Sequence, residues 1–152
     1  MSYPMKTLHR ALVAIDFSDK TDDVVQWALT LASQHEAQLV LVHIANPDPD
    51  FVGYGPGPQS IRDHTADGFH DERSRLEELA QSLTNAGITV RWHCLQGPVI
   101  EALIRKASED DVDLIVIGSH GHGELYRAVL GSTSEGVVLQ ADCPVMVVPT
   151  RR

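Results

Sequence analysis

The sequence predicts an α/β fold: a parallel sheet covered on both faces by helices. Three observations predict it. Short runs of β-branched and aliphatic residues recur along the chain, helix-period stripes lie between them, and the two kinds of segment alternate strictly. Runs of four or more such residues suit strands buried on both faces, as in a sheet sandwiched between helices. Strict alternation makes neighbouring strands parallel, joined by right-handed crossovers.

The strand candidates are Ala11–Ile15, Gln38–Ile44, Ile88–His93, Leu114–Ile117 and Val145–Val148. The third alternates more than the others, which places it nearer a sheet edge. A first helix follows Ser18-Asp19, with Ser18 as its cap and Val24, Val25, Ala28, Leu29, Leu31 and Ala32 on one face. A second runs from about Asp71 to Ala86 on the stripe Leu76, Leu79, Ala80, Leu83, with Gly87 at the left-handed position that ends it. Gly97-Pro98 opens a third, with Pro98 in its first turn and Ile100, Leu103, Ile104 and Ala107 inward. A fourth begins at Ser132, where Ser132 and Glu135 have the reciprocal capping spacing. Asn46 to about Gly68 breaks the rhythm. It contains Gly53-Tyr-Gly-Pro-Gly-Pro58 and reads as a long mobile connection at about 46–68 within one domain spanning 1–152.

Composition narrows the partners. The chain has 152 residues, 43% apolar and 22% charged, which suits a globular domain with one core. No stretch reaches the length of a membrane span and no signal-peptide core opens the chain, so a cytoplasmic protein without a membrane partner is expected. A formal charge of −9 argues against a nucleic-acid partner, which needs concentrated positive charge. Cys94 and Cys143 match no redox or zinc spacing and read as buried free thiols.

The segment after the fourth strand carries the chemistry: Gly118-Ser-His-Gly121, nine residues, then Gly131-Ser132-Thr133. Glycines let a backbone approach a ligand without a Cβ in the way. A helix opened by Gly131-Ser132 offers unpaired N–H groups and the positive end of its dipole, the ingredients of a phosphate cradle. The loop is neither a Walker loop nor a dinucleotide fingerprint. By themselves the glycines are equally compatible with an ordinary turn.

The spacing Gly118-x2-Gly121-x9-Gly131-Ser132 resembles the nucleotide-binding motif of the universal stress protein family. Further segments resemble the same family in the right order. They are Ala11-Leu-Val-Ala-Ile-Asp16-Phe-Ser18, Leu41-Val-His43-Ile44, Gly97-Pro98-Val-Ile100, Val112 to Gly121, and Cys143-Pro-Val-Met-Val-Val-Pro149. The resemblance covers almost the whole chain and points to the ATP-binding branch. It implies a five-stranded doubly wound sheet of order 3-2-1-4-5, similar to the adenine nucleotide alpha hydrolases. The ligand implied is ATP, or ADP or AMP, with magnesium accompanying ATP. The matching site residues are Ala14, Ile15 and Asp16 after the first strand, with the Asp16 carboxylate on the ribose. Ile44 would present its backbone to the adenine edge. Ile117 and Gly118 would lie near the ribose, and His120, Gly121, Gly131, Ser132 and Thr133 around the phosphates. A homodimer through the last strand, Val145, Met146, Val147 and Val148, is also implied, and it would cover an apolar sheet edge.

Competing readings stand beside these. Asp16 also suits the start of a helix as a plain acid. His43 reads as a buried, hydrogen-bonded histidine. His120 and His122 lack a third ligand for a metal, Asp48 and Asp50 suit a solvated loop, and Arg127 faces either phosphate or solvent. The functions in contention are a nucleotide-dependent stress-response or signalling module, a slow ATPase or autophosphorylating enzyme, and a dimeric interaction protein independent of nucleotide. The glycine loop has no lysine and no evident general base, which argues against efficient phosphoryl transfer. An adenylating enzyme is disfavoured by Asp16-Phe-Ser-Asp19 after the first strand.

Overall fold

In the computed structural model the residues described are 2–45, 59–120 and 130–150, with side-chain surroundings given for all of them except 59–67. The sheet is built around its middle strand. β1 (Arg10–Ala14) pairs in parallel with β2 (Gln38–Ala45) on one side and with β4 (Leu114–Gly118) on the other. β3 (Val90–Gln96) lies outside β2, and β5 (Val145–Val148) outside β4. The order is β3-β2-β1-β4-β5, all parallel, as the family resemblance implies.

Residues of successive parity feed opposite faces, so each strand supplies two cores. One face buries Ala11, Val13, Leu39, Leu41 and Val116 under α1 (Thr21–His35) and α2 (Gln59–Asn85). The other buries Leu12, Val40, Val42 and Ile115 under α3 (Val99–Glu109) and α4 (Ser132–Gln140). Leu12, Leu39 and Leu41 are completely buried, each contributing about 1.5–3 kcal/mol by leaving water. At the opposite end from the cleft described below, Asp113 Oδ2 accepts the His9 and Arg10 N–H groups at 2.8 and 2.9 Å, which fixes β4 against β1.

Several helix boundaries differ from expectation, each for a local reason. α2 begins at Gln59, immediately after the last proline of the Gly/Pro cluster, so 59–68 is helix rather than loop. That stretch is polar and carries no apolar stripe, and Gly68 lies inside the helix rather than before it. The expected mobile segment from 46 to 58 lies outside the described residues. The cap of α1 is Lys20, not Ser18; Ser18 instead braces the preceding turn, where its Oγ accepts the Lys20 N–H at 3.3 Å. Pro98 is itself the cap of α3, and Gly131 that of α4, with Ser132 the first helical residue. Gly131 accepts the Glu135 N–H through its carbonyl, so the capping box is not formed. β3 starts two residues later than the apolar run because Gly87, at φ 91°, and Ile88 close α2 first. β3 is an edge strand, as its alternation predicts.

Gly136 sets how closely α4 lies on α3. A Cβ there would overlap Cδ1 at the end of the Ile100 side chain and meet its Cγ1 at 3.0 Å, so relief requires Ile100 to move as a whole. The clash outweighs the helix propensity that alanine normally gains over glycine, about 1 kcal/mol. Gly136→Ala is therefore expected to destabilise by about 1–3 kcal/mol. Adding Ile100→Val, which removes Cδ1, should restore most of it in urea unfolding.

His93 on β3 faces the C-terminal turn of α3. Its Nε2 lies 3.4 Å from Asp110 Oδ2 without hydrogen-bond geometry, and Lys106 Nζ lies 3.4 Å from Asp110 Oδ1. Burial, and next the Lys106 charge, hold the His93 pKa below its ordinary value, against the opposing pull of Asp110. The folded state therefore favours the neutral ring. Stability from this site is full above the unfolded histidine pKa of about 6.5 and is lost as pH falls below it. The unfolding free energy of His93→Gln should fall less than that of the unsubstituted chain between pH 7.5 and pH 5.5. Equal slopes would contradict this assignment.

Candidate functional site

β1 stops pairing before its neighbours do. The β1–β2 register ends at Ala14↔Val42, followed by one further bond from Ile15 N–H to the Val42 carbonyl at 2.9 Å. β2 continues to Ala45, paired with β3 on its other side. Peptide groups alternate sides along a strand, and Gln38 and Val42 both bond towards β1. Ile44 has the same parity, so its peptide edge faces the gap that β1 leaves. The chain turns away there through Phe17, at φ 56°.

The connection from β1 leads to α1 on one face and that from β4 to α4 on the other, so a crevice opens between the strand ends. It is a cleft of about 290 Å³. Ala14, Ile15, Asp16, Ile44, Ile117, Gly118, His120 and Thr133 all line it. Gly131 and Ser132 do not line it. Gly131 is buried in the brace between loop and helix, its N–H bonded to the Ser119 carbonyl at 2.7 Å, and Ser132 is exposed. Gly121, like His122 and Arg127, lies outside the described residues.

Asp16 is held at the cleft by its own turn. Its Oδ1 accepts the Ser18 N–H at 3.0 Å and the Thr21 hydroxyl at 3.3 Å, so it orders the start of α1 while facing the cleft. His43 is buried, as expected. Its Nδ1 bonds the Ile15 carbonyl at 2.7 Å, its Nε2 meets Glu72 Oε2 at 3.0 Å, and its ring lies 4.7 Å from that of Phe17.

Gly118 has a packing reason for being glycine. A Cβ there would meet Thr150 Cγ2 at 3.1 Å and Val24 Cγ2 at 3.4 Å, so protein, not ligand, fills the space. Around it lies a buried hydroxyl network. Ser134 Oγ donates to the Gly118 carbonyl at 2.6 Å, fastening the first turn of α4 to the end of β4. Ser119 Oγ accepts the Thr150 N–H at 3.0 Å, and Thr150 Oγ1 accepts the His120 N–H at 3.2 Å. The two hydroxyls are themselves 3.0 Å apart, and His120 Nδ1 lies 3.1 Å from Ser119 Oγ.

Lys20, Glu72, Ser134 and Thr150 line the cleft and were not singled out from the sequence. Lys20 supplies an ammonium that the glycine loop lacks, from the cap of α1. Its position four residues after Asp16 was the available signal. Ser134 was visible as the third hydroxyl in Ser132-Thr-Ser134, whereas nothing local marks Glu72 or Thr150. The thiols of Cys94 and Cys143 are free and half-buried, and burial pushes both pKa values up. Among the described residues no group of three His, Cys, Asp or Glu is arranged to hold a metal, and no helix is long and apolar enough to cross a membrane.

The sequence model described as "Universal stress protein family" matches residues 7–149. The chain belongs to the universal stress protein family. "Universal stress protein A homolog 1" of Coxiella burnetii is 34% identical over 142 residues, covering 90% of this chain and 93% of that protein. "Universal stress protein in QAH/OAS sulfhydrylase 3'region" of Thermus aquaticus is 33% identical over 144 residues, covering 90% and 96%. Among solved structures, universal stress protein UspA from Lactobacillus plantarum superposes with a TM-score of 0.82 at 21% identity, over 95% of this chain and 99% of that one. A universal stress protein in complex with cAMP superposes with a TM-score of 0.68 at 22% identity, over 96% and 100%. These structures establish the universal stress protein fold for this chain.

Thr150→Val keeps the shape of the side chain but removes the hydroxyl that accepts the His120 N–H and meets the Ser119 hydroxyl. It should destabilise by about 1–3 kcal/mol in urea unfolding. An unchanged midpoint and slope would mean the network contributes nothing to stability.

Proposed function

We propose that this chain binds an adenine nucleotide (ATP, ADP or AMP) in the cleft at the ends of β1 and β4, and acts as a nucleotide-dependent stress-response or signalling module. The observation that carries the reading is the Ile44 peptide edge, which lies beyond the last β1–β2 pair and lines the same cleft as the first turn of α4. A peptide edge of this kind can exchange hydrogen bonds with the edge of a base, and a helix N-terminus favours an anion. A structural relative solved in complex with cAMP supports the same class of ligand.

In this reading Ile44 meets the adenine edge, Asp16 accepts from the ribose, and Thr133 with the α4 N-terminus and Lys20 meets the phosphates. Gly121 and Ser132 belong to the phosphate loop by their motif positions. Magnesium enters with ATP, held mainly by its phosphates. The bound nucleotide supplies a charged, asymmetric ligand; the chain binds and orients it. The cytoplasm is the expected compartment. The β5 edge, beside the exposed Val138 and Leu139 of α4, suits pairing with a second copy.

The test is mass spectrometry of nucleotide released from the purified, denatured protein, followed by calorimetry with ATP and magnesium. Binding in the micromolar range is expected. Asp16→Ala should weaken it about tenfold, near 1.4 kcal/mol. Lys20→Ala should weaken ATP more than AMP and reduce the salt dependence. No released nucleotide and no heat would overturn the reading and leave the nucleotide-independent interaction protein in its place.

A further inference from the structure

The buried His43 is not used by any contact assigned above to a nucleotide, yet it joins three elements. It sits on β2 immediately before Ile44, bonds the Ile15 carbonyl at the end of β1, and meets Glu72 on α2. One helical turn further along α2, the Arg75 guanidinium lies 4.2 Å from the Phe17 ring centroid, and Phe17 in turn packs on His43. Glu72 and Arg75 thus dock one face of α2 onto the turn that leaves β1.

Both partners of the ring are acceptors, a carbonyl oxygen and a carboxylate oxygen. An imidazole makes both bonds only when both nitrogens carry protons. With one proton removed, the nitrogen that lost it turns a lone pair towards an acceptor. A neutral ring therefore keeps only one of the two bonds, and the Glu72 carboxylate loses the attraction of the imidazolium charge with the proton.

We propose that His43 and Glu72 form a protonation-dependent latch that fastens α2 to the base-binding end of the cleft and tightens nucleotide binding when closed. The proposal rests on the nucleotide reading of the cleft and adds its regulation. His43 is a positioning residue: it bonds the Ile15 carbonyl at the end of β1 and ties Glu72 down at the cleft wall. Other charged groups surround the pair. Asp16 and Lys20 line the same cleft from the β1–α1 turn, and Arg73 and Arg75 stand on α2 beside Glu72. On β3, Cys94 is the register partner of His43, and the Glu72 charge adds to the burial that raises its thiol pKa. Glu72 therefore acts on side chains of two adjacent strands, β2 and β3, and opening the latch leaves its carboxylate without the imidazolium. The sign follows: protonation closes the latch, so affinity is highest at the acid end of the histidine range and falls as pH rises.

The experiment measures the affinity of the whole chain for cyclic AMP from about pH 6 to 8, within the range where histidines change charge. Cyclic AMP keeps one charge throughout, so the ligand adds no slope of its own. The wild-type affinity should fall roughly fivefold or more across the range. Glu72→Gln should flatten the profile while retaining binding, because its amide both donates and accepts and so pairs with either form of the ring. Nitrogen NMR of the ligand-free protein should show both His43 ring nitrogens protonated at pH 6 and one at the alkaline end. A Glu72→Gln profile parallel to the wild type, or a singly protonated ring at pH 6, overturns the latch. Absence of binding of cyclic AMP, ATP and AMP alike at every pH overturns the nucleotide reading, and the ring-nitrogen spectrum then decides the latch on its own.

Discussion

Everything at the cleft depends on where the middle strand stops. β1 carries a ladder on each side, and its last paired residue towards β2 is Ala14, while β2 runs on to Ala45 beside β3. Had β1 continued, its peptides would have closed over Ile44 and filled the gap with backbone. The left-handed Phe17 turns it aside, and the His43 bond to the Ile15 carbonyl satisfies the group this leaves at the rim. An unsatisfied buried carbonyl would cost on the order of 1–3 kcal/mol, so the opening is stable only because a side chain substitutes for the missing strand.

The same economy appears on the β4 side. Ser119, Ser134 and Thr150 are buried, and each hydroxyl is committed to backbone or to another hydroxyl. They replace ladder bonds where β4 and β5 end. The segment after β5 is thereby tied to the loop after β4, and α4 is tied to both. Gly118 completes the arrangement because the space its side chain would need is already occupied by Val24 and Thr150. A glycine that reads in sequence as an opening for ligand is here equally a requirement of packing.

Much of this was legible in the sequence, and what was not shares one cause. Continuous apolar runs such as Gln38-Leu-Val-Leu-Val and the stripe Leu76, Leu79, Ala80, Leu83 are local periodicities, and the sheet and its helices followed from them. Of the motif positions, Gly118, Asp16 and Ile44 line the cleft at the strand ends, whereas Gly131 does not. The start of α2 was missed because its first turns have no apolar stripe and so no period to read. The capping glutamate Glu135 was misread by one residue, because the Ser-x-x-Glu pattern does not reveal that Gly131 takes the cap. Glu72 and Thr150 reach the cleft from 29 and 30 residues away from their partners His43 and His120, and no local pattern encodes such distances.

The polar residues at the cleft spend their hydrogen bonds on the backbone around it. Asp16 holds the start of α1, His43 holds the end of β1, Ser134 holds the end of β4, and Thr150 holds the loop that follows. A side chain committed in this way is held in place by the backbone it bonds. It is well placed to keep a cleft in one shape before a ligand arrives, which removes ordering cost from binding. The geometry is that of a preorganised holder. A ligand in such a cleft would bear on every element that lines it, and α2, which reaches the wall through Glu72, is one of these beside α1, α3 and α4.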